Sequence, residues 1–182
     1  MLGDVVRGRL DGRLPAALEA SIRFHRQIDV ATDAHALSRA ARAGFANGAR
    51  RYAGIVLDVV HDHALALDWP GEEALEAFAA RAAQAVADPG AWQLASGRSA
   101  PDADRFAELL LSYREPAGID RALARIATRL RDPAPLIAHA AGWRDHLPAV
   151  RRDGPALLAD LASLAVAARS SVKPGAVSSA AT

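Results

Sequence analysis

Cysteine is absent from the 182 residues, which excludes disulfides, thiolate nucleophiles and cysteine-bound zinc. Any metal would have to be held by His and carboxylate. Lysine is almost missing as well: Lys173 stands alone, and arginine carries the rest of the basic charge. Aromatic residues make up only 5% of the chain while Ala is abundant, a balance that favours closely packed helices over sheet. No apolar run reaches the roughly 20 residues of a membrane-spanning helix, and the N-terminus lacks the basic-then-apolar pattern of a secretion signal. The expected location is therefore the cytoplasm, with no membrane partner. No Gly-x-Ser-x-Gly turn follows a strand-like run, and no glycine-rich phosphate loop is present, so serine-nucleophile and P-loop chemistries find no support.

Half of the residues are hydrophobic (51%), enough for one domain of this length to bury a core. The formal net charge of +1 argues against a dedicated nucleic-acid binder. The charge is uneven, however. Residues 1–51 hold nine Arg (7, 9, 13, 23, 26, 39, 42, 50, 51) against five Asp or Glu (4, 11, 19, 29, 33). A local basic surface suits an acidic protein or a phosphate ester, or is simply a solvated set of helix faces.

Helical spacing runs through the chain. Pro15 opens an amphipathic stretch with Leu18, Ile22, His25 and Asp29 on one face, ending near Thr32, and Asp33 reads as the next N-cap. A segment from Ala34 closes at Asn47-Gly48, and a long helix from about Arg50 to Trp69 stops at Pro70-Gly71. Helices are predicted over 72–87, 102–113, 119–130, 135–151 and 155–169, with Asp88-Pro89-Gly90 ending the first of these. The Arg151-Arg152-Asp153 run reads as a solvated helix end. The expectation is an all-α, single-domain multi-helix bundle over 1–169, followed by a disordered Ser- and Ala-rich tail over 170–182.

Two short segments concentrate the chemistry: Phe24-His25-Arg26-Gln27-Ile28-Asp29 and Leu57-Asp58-Val59-Val60-His61-Asp62-His63. Residues four apart share a helix face, so His25 sits over Asp29 and Asp58 over Asp62. Asp58, His61 and Asp62 can share one face, whereas His63 turns away from Asp58 and belongs at most to the surroundings of a site. Such groups resolve either as ion pairs, for instance Arg26 with Asp29, or as ligands of Mn, Fe, Zn or Mg. Arg26 and Arg7 are candidate phosphate clamps, because a guanidinium donates two parallel hydrogen bonds and keeps its charge. Metal-assisted hydrolysis is the enzyme class these residues support. His35, His139 and His146 have no acidic partner at metal-ligand spacing and read as structural or exposed.

The stretches Gly3-Asp4-Val5-Val6-Arg7-Gly8, His25-Arg26-Gln27-Ile28-Asp29 with Thr32-Asp33, and Leu57 to His63 followed by Trp69 resemble the acyl carrier protein phosphodiesterase family. A weaker similarity continues through Tyr113 and Gly118-Ile119-Asp120-Arg121-Ala122-Leu123. The resemblance implies an HD-domain-like helical phosphohydrolase that cleaves 4'-phosphopantetheine from the serine of acyl carrier protein, with a divalent metal, usually Mn²⁺. Carried over by motif, it implies Asp4, His25, Asp29, Asp58 and Asp62 as metal candidates. It implies Asp62, His63 and Arg26 as catalytic candidates, with Arg26 a phosphate contact beside Arg7. Acyl carrier proteins are acidic, which gives the Arg-rich first half a matching partner. The resemblance also implies an apolar helix with a His, of the form Asn-Phe/Tyr-Leu-Ala-His-Leu, ahead of Gly3. The sequence begins inside the following segment, so the expectation is either a start lying upstream or a site short of one ligand. Two other functions fit the residues: an HD-type phosphohydrolase acting on a nucleotide or small phosphodiester, and a non-catalytic helical module that binds carrier protein.

Overall fold

The computed structural model describes residues 2–45 and 50–171, without the side chains of 169–171; Asn47-Gly48 and residues 172–182 of the expected tail lie outside them. Among the described residues the elements are α1 (Leu2–Val5), α2 (Ala16–Ala34), α3 (Ala36–Ala43), α4 (Arg50–Leu67), α5 (Leu75–Val86), α6 (Pro89–Ser96), α7 (Ala103–Ser112), α8 (Pro116–Ala127), α9 (Ala134–Ala140), a 3-10 turn (Trp143–His146) and α10 (Leu147–Ser171). There is no strand among them, as the composition predicts.

Helix α4 is the centre. No proline interrupts it, and its apolar residues recur in pairs one turn apart, so Tyr52, Ala53, Val56, Leu57, Val59, Val60, His63 and Ala64 are all buried. Helices α3, α8, α9 and α10 and the 3-10 turn pack around it. Ile119 and Leu123 of α8, Leu136 of α9, Trp143 and Val150 complete the core against that face. The Trp143 indole is buried, yet its Nε1–H donates to Asp120 Oδ1 at 2.7 Å, so no polar atom is stranded. Helices α5 and α7 pair beside this core, and α6 reaches back to α1.

Several helix ends differ from those the sequence predicts. Asp33 lies inside α2 and caps nothing; the N-cap of α3 is His35, whose Nδ1 accepts from the Leu37 N–H at 3.2 Å. Its Nε2 lies 3.1 Å from Asp160 on α10, so His35 has the acidic partner that spacing alone did not reveal. Pro89 starts a helix rather than ending one, because Asp88 accepts from the N–H groups of Gly90 and Ala91 and proline is tolerated in a first turn. Pro155 does not divide the C-terminal region: α10 runs through it as one 25-residue helix. An interior proline costs a helix about 3 kcal/mol, and packing on α4 and α2 offsets it. Arg151 contributes to that packing. The run it belongs to is solvated but lies inside α10 rather than at an end, and Arg151 forks onto Asp68 just beyond α4, with Nε to Oδ2 at 2.6 Å and Nη2 to Oδ1 at 2.5 Å. The helix persists to Ser171, two residues past the boundary expected from composition.

Gly118 marks the closest approach of two elements. A Cβ built there would lie 1.8 Å from the Ser112 carbonyl oxygen at the end of α7, a contact that only backbone movement relieves. Gly118→Ala should therefore destabilise the fold by about 2 kcal/mol in a denaturant titration, the range of overpacked cores. Gly154→Ala, whose Cβ meets nothing within 4 Å, should be neutral or gain up to about 1 kcal/mol from helix propensity. Equal effects of the two substitutions would contradict this reading of the α7–α8 contact.

Candidate metal centre

The N-terminal segment is placed by two residues of α2. Arg26 donates from Nη2 to the Val6 carbonyl at 2.6 Å and from Nη1 to the Gly8 carbonyl at 2.9 Å. Glu19, buried in the first turn of α2, accepts from the N–H groups of Gly12 at 2.9 Å and Leu14 at 3.3 Å. Gly8 and Gly12 adopt φ of 86° and 88°, which L side chains rarely reach, and so allow the chain to turn between these anchors. The consequence is that α1 is held against α2. Gly3 then sits over the His25 ring: a Cβ there would fall 2.7 Å from both Cγ and Nδ1.

This docking brings Asp4 to His25 and Asp29. His25 Nδ1 lies 2.9 Å from Asp29 Oδ2, and Nε2 lies 3.6 Å from Asp4 Oδ2. The Asp29 carboxylate accepts a hydrogen bond from Nδ1–H, which leaves Nε2 facing Asp4; carboxylates orient ligating imidazoles in this way. One ligand atom from each of the three lies within 4.8 Å of the other two. The donor set, one imidazole nitrogen and carboxylate oxygens, suits Mn²⁺, Fe²⁺, Zn²⁺ or Mg²⁺. The group is open to solvent, with side-chain exposures of 62% at Asp4, 32% at His25 and 54% at Asp29. A group of residues able to hold a metal therefore exists, and the chemistry of its donors fits.

The other metal candidates stand elsewhere. Asp58 and Asp62 line a groove of about 430 Å³ between α4 and α10, with His61, Thr32, Leu157 and Leu161 among its walls. Neither belongs to the group of Asp4, His25 and Asp29, whose ligand atoms lie within 4.8 Å of one another. The division follows from helix geometry: the face of α4 opposite the core meets α10, whereas His25 and Asp29 meet α1. A link remains through charge. Burial pushes the Asp58 carboxyl up, Arg42 opposes this, and Asp33 and Asp29 add to it, so the acidic side of α2 is felt across the groove. Asp62 is pushed from 3.8 to about 6, chiefly by burial and then by Asp58. Both side chains reach solvent at the groove mouth, beside the apolar walls of Leu157 and Leu161. Burial also lowers the His61 pKa and favours its neutral form. His61 belongs to this group by position, and the i, i+3, i+4 spacing of Asp58, His61 and Asp62 is the signal for it.

Three expectations change. His63 is 2% exposed, hydrogen-bonds through Nδ1 to the Tyr113 carbonyl at 2.6 Å, and meets the Trp143 ring edge-on; it is a core histidine facing away from Asp62. Arg26 gives two of its guanidinium hydrogen bonds to the backbone carbonyls of Val6 and Gly8, and no Arg26–Asp29 ion pair is among those of the described residues. Its effect on the metal group is to position Asp4. Arg7 is exposed on the segment between α1 and α2.

Because folding raises the Asp62 pKa, the folded state holds that proton more tightly than the unfolded chain. The resulting stability is fully present below the unfolded value of 3.8 and is lost as pH rises through about 6. Asp62→Asn should therefore raise Tm at about pH 7.5, with a smaller gain at about pH 4.5, the whole effect being limited by solvent screening. Equal shifts at both pH values in a thermal melt would show that the groove does not perturb this carboxyl.

The comparisons with known proteins show the family. The sequence model of the family described as acyl carrier protein phosphodiesterase matches residues 1–161. A Photorhabdus laumondii protein named acyl carrier protein phosphodiesterase is 46% identical over 69 residues, which are 38% of this chain and 35% of that protein. A Serratia proteamaculans protein of the same name is 48% identical over 69 residues, 38% of this chain and 36% of the relative. An Escherichia coli protein, also of that name, is 45% identical over 69 residues, with the same two shares. The chain thus covers about a third of the length of the curated relatives it matches. No solved structure matches it. On the match over 161 residues, the chain belongs to the acyl carrier protein phosphodiesterase family.

Proposed function

We propose that this chain is a metal-dependent phosphodiesterase that releases 4'-phosphopantetheine from holo-acyl carrier protein, giving the apo-carrier. The observation that carries the reading is the convergence of Asp4, His25 and Asp29 from two helices, on motifs that match relatives named for that activity. Asp4, His25 and Asp29 would hold the ion, for which Mn²⁺ is the expected identity. When bound, a divalent cation supplies positive charge that offsets the charge developing on the phosphoryl oxygens. Asp29 keeps the His25 ring oriented, and Arg26 keeps Asp4 in reach by holding the carbonyls of Val6 and Gly8. Asp62, in the neighbouring groove, has its carboxyl pushed up to about 6 and so suits a proton donor toward the leaving serine oxygen of a substrate that reaches from the metal group into that groove. The HD-type ancestry and a cytoplasmic setting belong to the same proposal. No helix among the described residues is long and apolar enough to cross a membrane.

The test is intact-mass spectrometry of holo-acyl carrier protein incubated with the full chain and Mn²⁺, beside a chelator control. The proposal expects loss of the phosphopantetheine mass only with metal, with Asp29→Asn and His25→Ala reducing the rate by roughly 100-fold or more, as loss of a ligand or its orienting partner does. Carrier of unchanged mass under all conditions would overturn it, as would turnover of a small phosphodiester with none of the carrier. If Asp62 is the acid, kcat should fall as pH rises past about 6, and Asp62→Asn should be slow and flat across that range. An Asp62→Asn enzyme with the wild-type profile would remove Asp62 from the mechanism and leave the metal group intact.

A further inference from the structure

We propose that the groove between α2 and the C-terminal half of α10 docks an acidic amphipathic helix of the partner protein and so seats that partner beside the Asp4, His25 and Asp29 group. The inference rests on the reading that the substrate is an acidic carrier protein, and adds where it binds. The groove has a volume of about 720 Å³. From α2 it takes Arg23, Gln27, Val30 and Ala34, residues at helical spacing along one stripe, and from α10 Leu164 and Ala168, four apart. Val30 is 68% exposed and Leu164 41%. An apolar stripe of this kind is how helices receive the apolar face of another helix.

Charge selects the occupant. Among the described residues the side chains lining the groove include Arg23 and Arg26 and no carboxylate. Arg26 gives its hydrogen bonds to the neutral carbonyls of Val6 and Gly8, so its positive charge is not cancelled by those partners. Arg23 is exposed at the rim, 3.7 Å from Glu19. A second copy of this chain would bring the same arginines face to face, whereas a helix with an apolar stripe and acidic flanks meets both features of the groove. Position supplies the link to chemistry. His25 and Arg26 are successive residues of α2, as are Asp29 and Val30, so the groove stripe and the metal group are adjacent around one helix about 10 Å across. A partner helix lying on the stripe, with its acidic flank on Arg23 and Arg26, lies beside the metal group.

The test separates docking from hydrolysis by using fluorophore-labelled apo-acyl carrier protein, which has no prosthetic group to lose, and measuring Kd by anisotropy with the full chain. Wild type should bind with an affinity that falls with salt, and Val30→Asp and Leu164→Asp should each weaken binding about tenfold or more. Both sites are exposed, so melting temperature should stay near wild type. Arg98→Gln, at the far end of α6, should bind as wild type does. Unchanged affinity in both Asp variants would overturn the groove as the dock while leaving the proposed hydrolysis standing. Binding retained with no metal-dependent mass loss on holo-carrier would overturn the hydrolysis and keep the dock. Dimerisation that Val30→Asp abolishes, or capture by anionic lipid vesicles with no carrier binding, would replace the partner helix with a second copy or a membrane surface and overturn the proposal.

Discussion

The burial of α4 constrains everything around it. A helix with α3, α8, α9, α10 and the 3-10 turn packed on it retains one strip for polar side chains, and Asp58, His61 and Asp62 occupy that strip. The same packing explains why His63, one residue further on, is a core residue with its Nδ1 tied to a backbone carbonyl. Its imidazole would be costly in an apolar core without that bond. The acids on the strip are perturbed in another way: beside α10 their carboxyls are pushed up, that of Asp62 to about 6, while both side chains reach solvent. Perturbed carboxyls in a groove are what acid–base chemistry needs, and they also weaken the fold at neutral pH.

A second constraint is the tethering of a short N-terminal segment to α2. A four-residue helix has no stability of its own, so α1 stands where it does because Arg26 and Glu19 capture the backbone on either side of the Gly8–Gly12 turn. Hydrogen bonds from a charged group to backbone are among the stronger ones, at about 1.5–3 kcal/mol each. The metal group is thus assembled with the help of an arginine that holds backbone carbonyls, and α2 serves three purposes on successive stripes: it anchors α1, presents His25 and Asp29, and leaves Val30 on an apolar face.

The helical class, the central helix over 50–67 and the pairing of His25 with Asp29 were legible from spacing, because a period of 3.6 is imposed by local backbone geometry. The resemblance in the first 70 residues identified the family and brought Asp4 into consideration, which spacing could not do for a lone acid. Capping was legible at Asp88 and Asp102 only in part: Asp102 caps α7 by accepting from Arg105 N–H, while Asp88 opens a helix where the Pro-Gly that follows suggested an end. The run through Pro155 was not legible, since the energy that carries α10 past a proline comes from α4, α2 and the Arg151–Asp68 pair, far away in sequence.

What the sequence determined by itself is therefore the periodic part: helices, their apolar faces, and which polar groups share a face one turn apart. Tertiary structure alone decided which of those faces meet. It joined Asp4 to His25 and Asp29 through bonds spanning about 20 residues, separated Asp58 and Asp62 into a groove against α10, sank His63, and turned Arg26 toward backbone. The physical reason is that side-chain direction along a helix is a local property, whereas the partner on the other side is chosen by the packing of the whole core.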